Sequence, residues 1–131
     1  MIIGLGCDIV NIERINKSSE FMEHFQAKIL GPDERKEIKT LMPTEPKALA
    51  SLLAKYYAGK EAFSKALGTG FRDGIFLKDI QILHNSLGKP KLKISGDAAV
   101  FLQKLCSNAD LHISLSDDYP YAQAVVIISK K

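Results

Sequence analysis

The stretch from Ala48 to Gly70, ALASLLAKYYAGKEAFSKALGTG, constrains the fold of this chain more than any other. Leu49, Leu52, Leu53, Tyr56, Phe63, Ala66 and Leu67 recur at steps of three and four residues. That is the apolar stripe of an amphipathic helix packed into a core. Gly68 supplies a C-terminal stop, and Gly70 keeps the exit free. Gly59, inside the helix, costs about 1 kcal/mol relative to alanine, so the spacing predicts a close neighbour or a ligand there. Glu61 and Lys65 lie four residues apart, on one face and a single turn from each other. Two readings of that pair stand side by side. One is a solvated ion pair that supports the helix; the other is a carboxylate and an ammonium set over a metal and a phosphate.

A core helix needs partners, and 131 residues with 46% hydrophobic content supply them within one domain, residues 1–131. Ile2 to Val10 reads as a buried strand, with Gly4 and Gly6 allowing close backbone approach. Asp8 interrupts it. A carboxylate in an apolar strand must be hydrogen-bonded, paired or bound to a metal, unless it caps the helix that follows. Asn11 to Gln26 reads as that helix, and Gly31-Pro32-Asp33-Glu34 opens a shorter one, with proline and acids in its first turn. Met42 to Pro46 is a break and Phe71 to Gly74 a loop.

Leu77 to Leu83 then reads as a strand and Asn85 to Pro90 as a turn. Lys89, Lys91 and Lys93 alternate with Pro90, Leu92 and Ile94, either as a solvated edge or as a phosphate-binding rim. Gly96-Asp97 caps a helix from Ala98 to Ser107. A hairpin closes the chain, from Leu111 to Ser116 and from Tyr121 to Ser129, with its turn from Asp117 to Pro120. Its second strand, AQAVVII, is apolar on both faces and is expected to be fully buried. His112 reads as a hydrogen-bonded packing residue. This order of elements predicts an α+β fold, a largely antiparallel sheet packed against the long central helix.

Charge and cysteine usage narrow the function classes. The 18 basic and 15 acidic residues are mixed and give a net charge of +3, without the Lys/Arg tracts of a nucleic-acid binder. No aromatic residues interleave with the Lys89, Lys91 and Lys93 stripe, which argues against single-stranded RNA. Cys7 and Cys106 form no CxxC and no His/Cys cluster, so both read as reduced core thiols of a cytoplasmic protein rather than zinc ligands. The first ten residues have no basic flank and are too short for a signal peptide or a membrane span, so the chain reads as mature and soluble.

Four segments, GLGCDIVNIERI (4–15), AGKEAFSKALGTG (58–70), LGKPKL (87–92) and HISLSDDYPYAQAVVI (112–127), resemble in this order the small bacterial-type 4′-phosphopantetheinyl transferases. The resemblance implies that family's fold and the transfer of 4′-phosphopantetheine from coenzyme A to a serine of apo-acyl carrier protein. By that resemblance, Asp8 and Glu61 hold a Mg2+ and Lys65 contacts the phosphates of coenzyme A. Gly68, Lys89 and Pro90 fall in the coenzyme-binding motifs, and Arg14 meets the acidic helix of the carrier protein. The resemblance also implies a homotrimer with active sites at subunit boundaries.

The chemistry is consistent with these residue types. Splitting a pyrophosphate requires neutralised charge on its phosphates, and Mg2+ held by one or two carboxylates plus substrate oxygens provides it. The acceptor of the serine proton is Glu61 or a water that Glu61 orders. The same three residues would equally serve a non-catalytic coenzyme A or phosphate-binding module. In one respect the chain departs from the family. Where many relatives have histidine after S-x-S or S-x-T, this chain has Asp117, whose side chain is expected to be free to face a ligand.

Overall fold

A computed structural model describes residues 1–41, 43, 45–70 and 76–131. In chain order it places β1 (Ile2–Asn11), a 3₁₀ turn (Ile12–Arg14), α1 (Ser19–Ile29), α2 (Pro32–Leu41) and α3 (Pro46–Leu67). A second 3₁₀ turn (Leu77–Asp79), β2 (Ile80–His84), β3 (Pro90–Ile94), α4 (Gly96–Leu105), β4 (Ala109–Asp118) and β5 (Tyr121–Lys130) follow. The strands β1, β5 and β4 form one antiparallel sheet in that order, and β2 with β3 forms a separate antiparallel hairpin beside β4. The expected α+β architecture is therefore present. The expected break at Met42 lies only partly within the described residues, and the expected loop from Phe71 to Gly74 lies outside them.

The helix α3 lies on the inner face of the three-stranded sheet and fills the centre of the core. Pro46 sits in its first turn, and Gly68 ends it at φ 84°, a left-handed conformation that glycine adopts without strain. Leu53, Ala54, Ala58, Ala62 and Phe63 of α3 are fully buried, together with Ala122, Ala124, Val126 and Ile128 of β5. Contact with β1 is closer still. A Cβ on Gly4 would stand 2.2 Å from the Ala66 carbonyl oxygen, and one on Gly6 would stand 1.8 Å from that of Ala62. The strand backbone and the helix backbone touch directly. At Gly59 the close neighbour is a core side chain, since a Cβ there would meet Ile82 Cδ1 at 2.5 Å.

Several expectations need correction, among them that β1 is a buried strand, since its outer-face residues Leu5 and Ile9 are exposed. The helix expected from Asn11 to Gln26 is two elements, because two residues cap separately. Asn11 Oδ1 accepts from Glu13 N at 3.0 Å, and Ser18 Oγ accepts from Phe21 N at 3.1 Å. Leu77–Asp79 is a 3₁₀ turn rather than strand. The carbonyls of Leu77 and Ile80 both accept from the Lys60 ammonium. Residues three apart on an extended strand face opposite sides and could not both reach it. Next, β5 alternates instead of being buried on both faces: Gln123 is exposed and Val125 and Ile127 are half-buried on the outer face. Finally, Cys7 is exposed on that face, while Cys106 is the buried thiol.

Sequence reasoning gave no hint of the polar knot beneath α3. The side chain of Lys60 is fully buried and donates to Glu34 Oε1 at 2.6 Å. Glu34 accepts in addition from the backbone N–H groups of Gly31 and Ile82, each at 2.9 Å. Burial pushes the Glu34 carboxyl up and the Lys60 ammonium down, and their mutual attraction opposes both shifts. Every donor and acceptor of the pair is engaged, which is what makes a charge tolerable at this depth.

Candidate functional site

The site forms where β1 crosses α3. Asp8 lies opposite Ala124 in the sheet, on the inner face, with only 17% of its side chain exposed. The same glycine contacts that seat α3 on β1 bring the helix face carrying Glu61 and Lys65 alongside it. Lys65 Nζ donates to Asp8 Oδ1 at 2.9 Å and to the Cys7 carbonyl at 3.0 Å. Lys65 therefore pairs across the fold with a residue 57 positions away. That is more than the local helix support the spacing alone allowed.

Glu61 is half-buried, and desolvation raises its carboxyl above the usual range, with the Asp8 charge adding to the effect. A hydrogen bond from Tyr57 and the Lys65 charge act in the opposite sense. Burial, followed by that hydrogen bond to Glu61, pushes the Tyr57 hydroxyl up to about 12. Tyr57 was missed by sequence reasoning, although its i,i+4 spacing from Glu61 was the available signal.

The donor set suits a hard divalent cation. Asp8 and Glu61 offer only carboxylate oxygens, the Asp8 charge bears on Glu61, and the Lys65 ammonium already stands on Asp8 as a cation. Among the described residues no group of three or more His, Cys, Asp or Glu side chains gathers to hold a metal. Two carboxylates completed by water and substrate oxygens are the usual protein share of a Mg2+ site.

Arg14 belongs to the 3₁₀ turn after β1 and lines a hollow of about 350 Å³ with Ile15, Phe21, His24, Phe25, Lys28 and Tyr57. Tyr57 is thus shared between this hollow and Glu61. Gly68 lies one turn beyond Lys65 as the helix cap. Lys89 and Pro90 are not brought to Asp8. They line a different hollow of about 360 Å³ with Lys91, Leu111, His112 and Ile113, on the β4 edge of the sheet, opposite β1. His112 is exposed on the outer face of β4 rather than packed in the core, and its Nε2 shares a hydrogen bond with Ser129 Oγ at 3.0 Å.

Asp117 lies within β4 rather than in the turn, and it is not free. Its carboxylate pairs with Lys55 of α3 at 3.2 Å. The inner-face position of Asp117 in the register, across from Ala122, directs it toward the helix. Lys93 of the lysine stripe pairs with Asp33, while Lys91 is exposed. Among the described residues no helix is long and apolar enough to cross a membrane.

A profile of the 4′-phosphopantetheinyl transferase superfamily matches residues 4–124. The holo-acyl-carrier-protein synthase of Erythrobacter litoralis is 46% identical over 132 residues, covering 98% of this chain and 96% of that protein. The crystal structure of the holo-acyl-carrier-protein synthase from Neisseria meningitidis matches with a TM-score of 0.80 and 35% identity, over 99% of this chain and 100% of that one. A Bacillus anthracis holo-acyl-carrier-protein synthase, solved in complex with CoA (3′,5′-ADP), matches with a TM-score of 0.78 and 30% identity, over 100% of this chain and 99% of that one.

Proposed function

Because the chain belongs to the 4′-phosphopantetheinyl transferase superfamily, we infer that it is a holo-acyl-carrier-protein synthase. It transfers 4′-phosphopantetheine from coenzyme A to a serine of apo-acyl carrier protein, leaving adenosine 3′,5′-bisphosphate. The observation that carries the assignment to particular residues is the meeting of Asp8, Glu61 and Lys65 where β1 crosses α3. The whole of residues 1–131 serves as one transferase domain in this reading.

Asp8 and Glu61 would hold Mg2+, which when bound neutralises charge on the pyrophosphate of coenzyme A. Lys65, on a flexible four-carbon stem, reaches the same phosphates from one turn along the helix. Glu61 holds its proton more tightly than an ordinary carboxylate, which suits it to accept the serine proton directly or through a water. Tyr57 steadies that carboxylate. Arg14 faces the acidic carrier protein from the rim of the adjoining hollow.

Two features support an oligomer. Leu5 and Ile9, both more than 60% exposed, lie on the outer sheet face with half-buried Val125 and Ile127, an apolar surface suited to other copies of the chain. Lys89 and Pro90 line a hollow apart from Asp8 and would meet the site of a neighbouring subunit. Both are consistent with subunits that share sites at their boundaries, as in a homotrimer, and the free Cys7 and Cys106 suit the reducing cytoplasm.

The test is intact-mass measurement of apo-acyl carrier protein after incubation with the protein, coenzyme A and Mg2+. A gain of one phosphopantetheine per carrier protein is expected, and it should vanish in Asp8→Ala and Glu61→Ala. Coenzyme A that stays intact while bound would instead mark a non-catalytic binding module.

A further inference from the structure

In the metal-free protein Lys65 is already engaged at the residue read as a metal ligand. Its ammonium is held by Asp8 Oδ1 and the Cys7 carbonyl, and among the described residues it is the donor that reaches the Asp8 carboxylate. That carboxylate is mostly enclosed, whereas half of the Lys65 side chain is open to solvent. Lys65 can therefore leave without repacking the core, and Asp8 cannot. A divalent ion on the same carboxylate would be repelled by an ammonium that already stands within hydrogen-bonding distance of its ligand.

We propose that Lys65 is the resident counter-ion of Asp8 in the metal-free protein, and that a divalent ion binds by displacing it. This rests on the reading of Asp8 and Glu61 as the metal pair. The displaced ammonium swings outward on its stem, toward the side from which an anionic ligand must come. Metal loading and phosphate capture are then coupled through one side chain: the ion presents Lys65 to phosphate, and phosphate held by Lys65 keeps it off Asp8. By linkage the effect is reciprocal.

The experiment is a calorimetric titration of Mg2+ into the coenzyme-free wild type, Lys65→Met and Asp8→Asn, paired with NMR of the lysine ammonium groups. Lys65→Met is expected to bind Mg2+ about tenfold more tightly than wild type, within the usual range of inter-site coupling. The ammonium signal absent from Lys65→Met should be sharp in the metal-free wild type and lost at saturating Mg2+. Equal or weaker binding by Lys65→Met overturns the displacement. So does a signal that persists while Mg2+ is bound, since a lysine that only repels the ion from nearby would tighten the variant and still keep its signal. Asp8→Asn binding Mg2+ as well as wild type would instead overturn the metal pair itself. Binding by neither wild type nor Lys65→Met would overturn both.

Discussion

Gly6→Ala tests whether the direct seating of α3 on β1 sets the geometry of the site. The added Cβ would lie 1.8 Å from the Ala62 carbonyl oxygen, 2.8 Å from its carbonyl carbon and 2.8 Å from Ala66 N, all backbone of α3. A carbon and a carbonyl oxygen approach no closer than about 3.3 Å, so strand and helix must part by about 1.5 Å. No side chain can rotate to absorb the shift. Overpacking of this kind costs about 1–3 kcal/mol, and a rigid backbone neighbour puts Gly6→Ala at the upper end. The same displacement pulls Asp8 away from Glu61 and Lys65. A misplacement of about 1 Å can cost 10²-fold in rate, so kcat should fall by at least that factor at temperatures where the variant is fully folded. Urea unfolding gives the first quantity and initial rates of carrier-protein modification give the second. A folded variant with near-wild-type stability and kcat would refute the claim that this contact positions the site.

Three further outcomes are expected. Lys60→Met leaves Glu34 charged and unpaired in the core, which should cost about 3–5 kcal/mol in chemical denaturation; a loss below about 1 kcal/mol would show that water or a shifted chain replaces the ammonium. For Glu61, the raised folded-state pKa means the native state binds its proton more readily than the unfolded chain does, so ionised Glu61 penalises folding at neutral pH; the penalty fades as pH falls through the raised native value and is gone below the ordinary carboxylate value. Glu61→Gln should therefore raise the Tm of the metal-free protein at pH 7 and not at pH 4, whereas an equal gain at both would point to packing. Arg14→Glu should raise the KM for acyl carrier protein with little change for coenzyme A, and the effect should shrink with added salt because exposed charges are screened beyond about 8 Å at physiological ionic strength; equal losses for both substrates would remove Arg14 from docking.

The elements with strong periodicity were legible, because period and end signals act locally. The helix from Pro46 to Leu67, its Gly68 stop and the tight approach at Gly4 and Gly6 all follow from residue type and spacing. Asp8 was legible as an anomaly, a charge in an apolar strand. Its actual partner was not, since nothing local ties Asp8 to a lysine 57 residues on. Lys60 illustrates the same limit. On sequence it is one more lysine of a helix, and only the arrival of Glu34 and the carbonyls of Leu77 and Ile80 makes its burial possible. Asp117 was misjudged because a residue beside a turn looks free until the facing helix supplies Lys55. The split of the helix after Asn11 failed for a subtler reason, as Ser18 reads equally well as an interior residue or as a second cap.

The start of α2 has a consequence for the order in which the molecule assembles. Its first free N–H groups, those of Asp33 and Glu34, are not capped by a neighbour in sequence. They donate to Gln81 Oε1 at 2.8 and 3.0 Å, across 48 and 47 residues. The helix has ten residues and carries few apolar side chains, and isolated helices shorter than about 12–15 residues are marginal in water. A nascent chain that has made PDERKEIKTL therefore has only the local contact of Glu34 with the Gly31 N–H to start its helix, and it must wait for β2 to emerge and dock on α3 before Gln81 can complete the first turn. In the folded protein the dependence runs backwards: whenever the β2–β3 hairpin lifts away, α2 loses its first turn with it, and the amides of both should open to solvent as one unit.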